Sequence, residues 1–303
     1  MASYHTPVLL DEIAQLARCS HRIVDCTVGG GGHAEALLRD GVELLAIDRD
    51  PIALAAAQQR LGARVIQWLN LNFCDSRALA AVARFRPDFI LLDLGVSGHQ
   101  LDEDRRGFSF RPGTALDMRM TPGVGQTAAQ LLRNLDQTQL DHIFRVFGDE
   151  RRSQRLAATI VRRRHYCDFA ISDDLVNAIR AALGSRAGPA DFARLFQAVR
   201  IAVNGELEGL ETALPSFVDS LAGKGVIAVV SYHSGEDRIV KHWFREWAKH
   251  CICPPGALVC RCRGRPLGDI EARKPIRPSA AEIVANPRAR SAKLRVFRKA
   301  DES

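Results

Sequence analysis

The chain has 303 residues, 47% of them hydrophobic, which is enough to bury a sizeable core in one large domain or two smaller ones. No apolar run approaches the roughly 18–20 residues needed to cross a bilayer, and "MASYHTPVLLDEIAQL" carries acids where a signal peptide would be apolar, so a cytoplasmic protein without a membrane partner is expected. A net charge of +7 favours a polyanionic partner without proving one, and eight cysteines without a secretory signal read as reduced thiols or metal ligands.

In chain order, "HRIVDCT" reads as a first strand, followed by four glycines and the helical "HAEALLRDG". "VELLAIDRD" is a second strand, "PIALAAAQQRLG" a helix opening on Pro51, "ARVIQWLN" a third strand and "PDFILLDLGV" a fourth. This alternation is the pattern of a doubly wound α/β sheet. From about residue 99 the sequence turns charged and aperiodic, then helical to about 215, until "GKGVIAVVSYH" resumes the sheet. "IVKHWFREWAK" reads as an amphipathic helix and "SAKLRVFRK" as a closing strand. The expected organisation is a sheet domain over 1–110 and 215–303, with an inserted all-helical domain over 111–214.

The stretch "DCTVGGGGH", Asp25 to His33, joins the first strand to its helix. Each glycine weakens regular structure by about 0.5–1 kcal/mol relative to alanine, so the run is either a connector or a bare backbone that a ligand approaches. Asp48 ends the second strand about twenty residues on, where a carboxylate can accept both ribose hydroxyls of a nucleoside. A structural turn with an N-capping acid is the plainer alternative. A dinucleotide fingerprint runs G-x-G-x-x-G, whereas this loop runs D-x-x-x-G-x-G-G-H through Gly29, Gly31, Gly32 and His33. An S-adenosylmethionine site takes further contacts from the ends of strands three and four, where the chain offers Phe73 for the adenine face and Asp93. Phe73 as an ordinary core aromatic remains a rival reading.

With "HTPVLLDE", "LLAIDRDP", "LLDLGVSGHQLD", "RGFSF", "LDMRM", "FQAVRIAVNGELE", "SYHSGEDRIVK" and "NPRARSAKLRV" added to the glycine loop, the chain from His5 to about Val296 resembles the ribosomal RNA small-subunit methyltransferase H family. The resemblance implies a class I methyltransferase domain with a helical insertion, and methylation of the exocyclic N4 of a cytidine in small-subunit (16S) ribosomal RNA with S-adenosylmethionine. It implies Gly31, Gly32 and His33 as the cofactor loop, Asp48 on the ribose, Phe73 beside the adenine, and Asp93 and Gln100 near the cofactor. The family usually has two serines where this chain has Ser97-Gly98, and "SFHSLEDR" where it has Tyr232 and Gly235.

A cytosine amine is a poor nucleophile, so transfer needs tight positioning and a carboxylate or carbonyl near the amine as it becomes positive. Asp93 is the first candidate to hold cofactor or amine. Its turn, Asp93-Leu-Gly-Val-Ser, lacks the aromatic platform that many amino-methyltransferases have there. "SYHSGEDR" after the fifth strand is the best-placed substitute: Ser231 and Tyr232 at the strand end, Tyr232 for stacking, His233 as a general base near neutral pH, and Glu236 and Asp237 for substrate. Alternatively Glu236 and Asp237 open a helix as dipole partners and His233 orients the turn. Arg200 and Asn204 in the helical module are candidate substrate contacts, with an internal salt bridge from Arg200 as the rival.

Basic stretches "RRSQR", "VRRRHY", "RCRGRP" and "EARKPIRP" suit phosphate contacts with small-subunit ribosomal RNA or the assembled 30S subunit, and the target base must come from a single-stranded or opened region. Solvated helix faces are the bland alternative. Cys251, Cys253, Cys260 and Cys262 are spaced C-x-C-x6-C-x-C, which could form a thiolate site, but common knuckles use C-x2-C and the resemblance requires no metal, so none is assigned. Two other functions stand beside the methyltransferase: a ribosome-assembly factor of this fold that no longer turns over, and a dinucleotide-dependent oxidoreductase, against which the loop spacing weighs. The sequence leaves the oligomeric state open, a homodimer included.

Overall fold

Aliphatic runs become strands wherever both of their faces can be covered. The computed structural model describes residues 7–254, 259 and 261–301. In chain order it runs α1 (Leu10–Leu16), β1 (Arg22–Asp25), α2 (Gly32–Leu37), β2 (Glu43–Ile47), α3 (Pro51–Leu61), β3 (Gln67–Leu69), α4 (Ser76–Phe85) and β4 (Phe89–Asp93). There follow α5 (Gly98–Asp102), α6 (Ala128–Asn134), α7 (Gln137–His142), α8 (Ser153–Arg163), α9 (Ser172–Leu183), α10 (Pro189–Asn204) and α11 (Glu206–Ser220). The chain then continues through β5 (Val226–Ser231), α12 (Ser234–Trp247), β6 (Gly268–Ile270), α13 (Ala280–Ala285) and β7 (Lys293–Lys299).

The seven strands lie in the order β3-β2-β1-β4-β5-β7-β6. The first five are parallel, and β7 runs antiparallel between β5 and β6. This is the doubly wound sheet of a class I methyltransferase, as expected. Successive residues of each strand serve opposite faces. Ile23, Leu44, Ala46, Phe89, Leu91, Ala228 and Val230 belong to one core, while Val24, Leu45, Ile47, Ile90, Leu92, Ile227 and Val229 belong to the other. Burial on both sides explains why these segments read as unbroken apolar runs.

The expected third strand over "ARVIQWLN" shrinks to three residues because Gly62–Arg64 closes α3 as a tight turn. β6 carries no strand signature, and its pairing depends on Gly268, where a Cβ would come within 2.1 Å of the Arg298 carbonyl oxygen.

Two compact units result: Met1–Gly95 with Leu207–Ser303, and Val96–Glu206. The second begins earlier than the expected 111, because the aperiodic stretch supplies Phe108, Leu116, Met118 and Met120 to the same core as Phe144, Ile160, Phe169 and Leu195. It also ends earlier than 214: α11 packs Leu210, Leu214 and Phe217 into a sheet core. Within the helical unit, Gly107 has φ +75 and a Cβ there would lie 2.3 Å from the Ala115 carbonyl oxygen, so only glycine fits that turn. No helix among the described residues is long and apolar enough to cross a membrane.

Candidate functional site

Carboxylates stand at the ends of three neighbouring parallel strands. Asp25 closes β1, Asp93 closes β4, and Asp48 follows β2 by one residue. Strand order reverses between β1 and β4, and in open α/β sheets the crevice beyond the carboxyl ends at such a reversal is where ligands bind.

Asp48 accepts the Gly29 N–H on Oδ2 and the Asp50 N–H on Oδ1, both at 2.8 Å. Desolvation nevertheless raises its pKa to about 6. Asp25 is almost fully buried; desolvation raises it to about 7, against His33 and a bond from the Thr27 N–H, and the charges of Asp93 and Asp48 add to the rise.

Asp93 is the hub. Its N–H donates to Thr27 Oγ1 at 2.7 Å, its Oδ1 accepts from the Tyr232 hydroxyl at 2.9 Å, and its Oδ2 lies 3.5 Å from His33 Nε2. Burial alone would lower the His33 pKa, but the bond and charge of Asp93, with Asp25 and Glu282 behind them, leave it raised. Desolvation and the Asp93 charge push the Tyr232 phenol well above its ordinary value, so Tyr232 stays a neutral donor.

The glycine run divides its tasks. Gly31 has φ +81, and a Cβ there would meet Leu61 Cδ1 at 3.2 Å; at Gly32 it would meet Pro7 Cγ at 2.5 Å. Its own neighbours, α3 and Pro7, therefore account for these two glycines. The Gly31 N–H donates to the Val28 carbonyl at 2.8 Å. Gly29, with φ +53, has nothing nearer to a Cβ than the Thr27 carbonyl at 3.8 Å, and it forms the bare part of the loop.

Other expected site residues have partners within the protein. His233 caps α12: Nδ1 accepts the Glu236 N–H at 3.4 Å and Nε2 lies 3.1 Å from Glu236 Oε1. Glu236 Oε2 accepts the Tyr232 and His233 N–H groups, at 2.8 and 3.3 Å. The ring of His233 thus opens the helix through Nδ1, while Nε2 faces the Glu236 carboxylate. Asp237 is ion-paired with Arg295 at 2.6 Å and Lys293 at 3.0 Å; burial would raise its pKa, but these two cations leave it lowered. Ser231 is buried, its hydroxyl donating to the Lys293 carbonyl at 3.4 Å across the β5–β7 pair. Phe73 is partly buried, its ring 6.5 Å from that of Phe217.

In the helical unit, Gln100 closes a capping box with Ser97, accepting its N–H at 3.0 Å. Arg200 holds Glu206 through two bonds of 2.9 Å. Asn204 is buried, donating to the Met118 and Arg200 carbonyls and accepting the Met120 N–H. For Arg200 this is the internal salt bridge that the sequence offered as the rival to a substrate contact, and Asn204 is tied to the backbone of its own unit. Of the basic stripe, Arg151, Arg155 and Arg162 are exposed, while Arg152 and Arg164 donate to the Leu183 and Leu135 carbonyls.

Sequence reasoning missed Thr27, Glu282 and the site role of Asp25. Asp25 and Thr27 were visible as the "DCT" heading the glycine run; Glu282, hydrogen-bonded to the Leu9 N–H at 2.7 Å, had no local signal. A crevice rimmed by three carboxylates attracts a cation and repels a pyrophosphate.

Residues 2–300 match the family described as the MraW methylase family. The ribosomal RNA small subunit methyltransferase H of Gemmatimonas aurantiaca is 51% identical over 302 residues, covering 98% of this chain and 96% of that protein. Proteins of the same name from Heliobacterium mobile and Symbiobacterium thermophilum are 45% and 44% identical, covering 99% and 97% of this chain and 100% and 96% of their own lengths.

Proposed function

The chain belongs to the MraW methylase family, and from that premise we propose that it transfers the methyl group of S-adenosylmethionine to the exocyclic N4 of a cytidine in small-subunit ribosomal RNA. The observation that carries this reading is the His33–Asp93–Tyr232 cluster beside the glycine loop at the sheet's reversal point.

The residues present fit the cofactor. Each Asp48 oxygen accepts one backbone N–H and keeps lone-pair capacity for a ribose hydroxyl. Asp25, Asp48 and Asp93 supply negative charge whose ionised forms burial disfavours in Asp25 and Asp48, so a sulfonium relieves a strain that a dinucleotide pyrophosphate would worsen. Bound there, S-adenosylmethionine supplies an electrophilic methyl group.

Asp93 then orients the amine. Its carboxylate is fixed by Tyr232 on one oxygen and faced by His33 on the other, and it accepts a hydrogen bond from the cytosine amine as that nitrogen becomes positive. Because the partners are already in position, little reorganisation accompanies transfer. Tyr232 also brings a phenol ring to the "SYHSGEDR" turn, which suits stacking on an opened base. Ribosomal RNA and the 30S subunit are the proposed partners, with the exposed arginines of the helical unit taking phosphates.

The test is to incubate the protein with methyl-labelled S-adenosylmethionine and small ribosomal subunits from a strain lacking the modification, then map the label. Label on a cytidine N4 is expected. Label on a uridine or a ring carbon, or none, overturns the reading; none is also what a non-catalytic assembly factor would give.

A further inference from the structure

We propose that Glu282 is a positioning residue for methyl transfer: by holding the Leu9 N–H it seats Pro7 against Gly32, and so fixes the start of α2, which carries His33 to Asp93. This role rests on the S-adenosylmethionine reading of the site.

The glycine loop is held between two walls. On one side is α3: a Cβ at Gly31 would lie 3.2 Å from Leu61 Cδ1 and 3.4 Å from Ala57 Cα. On the other, a Cβ at Gly32 would come within 2.5 Å of Pro7 Cγ, so the proline ring sits directly on the first residue of α2. Pro7 lies outside any helix or strand. Its place therefore depends on the residues that follow it.

Leu9 supplies that anchor in a strained conformation. It precedes α1 with φ +57 and ψ +37, in the left-handed region that a leucine seldom occupies, and no side-chain cap relieves the turn. Such a conformation persists only where its surroundings over-determine it. Two contacts do so here. The Leu9 side chain is fully buried in the same core as Val8 and Ile13, and its N–H donates to Glu282 Oε1 at 2.7 Å, across 273 positions of sequence.

Glu282 can hold Leu9 because α13 is itself fixed by bonds that do not involve the glycine loop. Ser279 Oγ accepts the Glu282 N–H at 3.1 Å, and the Glu282 carbonyl accepts the Asn286 N–H at 2.7 Å. Before the helix, Ile276 and Leu294 of β7 exchange two N–H to carbonyl bonds of 2.9 Å. After it, Ala289 and Ala292 are buried in the core that contains Leu9.

An acid in the first turn of a helix is by itself an ordinary dipole partner. Glu282 differs in that its oxygen reaches out of α13 to a strained backbone beside the glycine loop. Its charge is also felt by both side chains that face Asp93. At His33 burial lowers the pKa while the bond and charge of Asp93 raise it, and at Tyr232 burial and Asp93 both raise it; the Glu282 charge adds to the rise at each.

The experiment measures S-adenosylmethionine affinity by calorimetry on the full-length protein, well below the Tm of each variant. Glu282→Asp keeps the charge but is one methylene shorter and withdraws the acceptor. Glu282→Gln keeps the reach and an acceptor oxygen without the charge. Glu282→Asp and Glu282→Ala should weaken Kd about 10-fold, and Glu282→Gln should recover most of that loss. S-adenosylhomocysteine, whose sulfur is neutral, should lose affinity by a similar factor. A purely structural role would lower Tm and leave Kd at the wild-type value. Wild-type affinity in Glu282→Asp, a Glu282→Gln variant as weak as Glu282→Asp, or a loss confined to the sulfonium ligand overturns the proposal, and this pair decides even if Glu282→Ala fails to fold. Wild-type protein that binds no S-adenosylmethionine would instead overturn the cofactor reading, and this role with it.

Discussion

The Tyr232 hydroxyl donates to Asp93 Oδ1 at 2.9 Å, linking the ends of the parallel neighbours β5 and β4. Tyr232→Phe keeps the ring and removes the donor. A hydrogen bond to a charged group is worth about 1.5–3 kcal/mol, so kcat for methyl transfer should fall about 10- to 100-fold while the cofactor Kd changes little. Single-turnover methyl transfer with calorimetric cofactor binding separates the two effects. An unchanged rate would remove Tyr232 from the catalytic arrangement.

Asp25, at about 7, and Asp48, at about 6, both titrate above the ordinary carboxylate range because they are desolvated. Between about pH 4 and 7 the folded protein therefore holds protons that the unfolded chain has released, and stability falls as pH rises through that window. Asp25→Asn should raise the Tm relative to wild type at pH 8 and give little advantage at pH 4, by thermal denaturation. A Tm difference independent of pH would show that Asp25 ionises normally.

The same carboxylates set the pH dependence of cofactor binding. A sulfonium favours their ionised forms, so affinity should tighten from pH 5.5 to pH 8 with proton release. Calorimetry in two buffers of different ionisation enthalpy reads that release directly. Proton uptake on binding would contradict the charge argument.

Asp48→Ala removes charge-assisted bonds worth roughly 1.5–3 kcal/mol each, so cofactor binding should weaken by a few kcal/mol at most. Unchanged affinity by calorimetry would take Asp48 off the ribose.

Gly107 and Gly113 share φ +75, but only Gly107 has backbone in the way of a Cβ. Alanine at either position meets the left-handed penalty of about 1–2 kcal/mol, and Gly107→Ala adds overpacking of about 1–3 kcal/mol. Denaturant unfolding should rank Gly107→Ala clearly below Gly113→Ala. Equal losses would mean that the Ala115 carbonyl moves aside freely.

Much of the sheet was legible because the middle residues of β1, β2, β4 and β5 are buried on both faces and so are apolar. β6 was not legible: it is three residues long, its place depends on β7 for pairing, and Gly268 is a poor strand former that only the close approach of Arg298 explains. At the site, Asp48 and Asp93 could be read because each ends a recognisable strand. For His233 and Arg200 the sequence left a substrate role and an internal tie side by side, because a helix cap and a nearby carboxylate are visible without deciding between them; the partners of Asp237 and Asn204 were not legible, being remote in sequence: Asp237 with Arg295, Asn204 with Met118. A polar residue in a chemically suggestive motif looks the same in sequence whether its hydrogen bonds face a substrate or its own backbone.

The seat of β7 between β5 and β6 has a kinetic consequence. β5 pairs with β4 on one side, but its other edge is covered only by β7, so that edge stays unpaired until residues 293–299 arrive. An aliphatic strand with an open edge is a template for pairing with other chains, and contacts between segments so distant in sequence form late. During synthesis, the vulnerable interval of this protein should therefore fall between the emergence of Val226–Ser231 and that of Lys293–Lys299, when a chaperone would have most to shield.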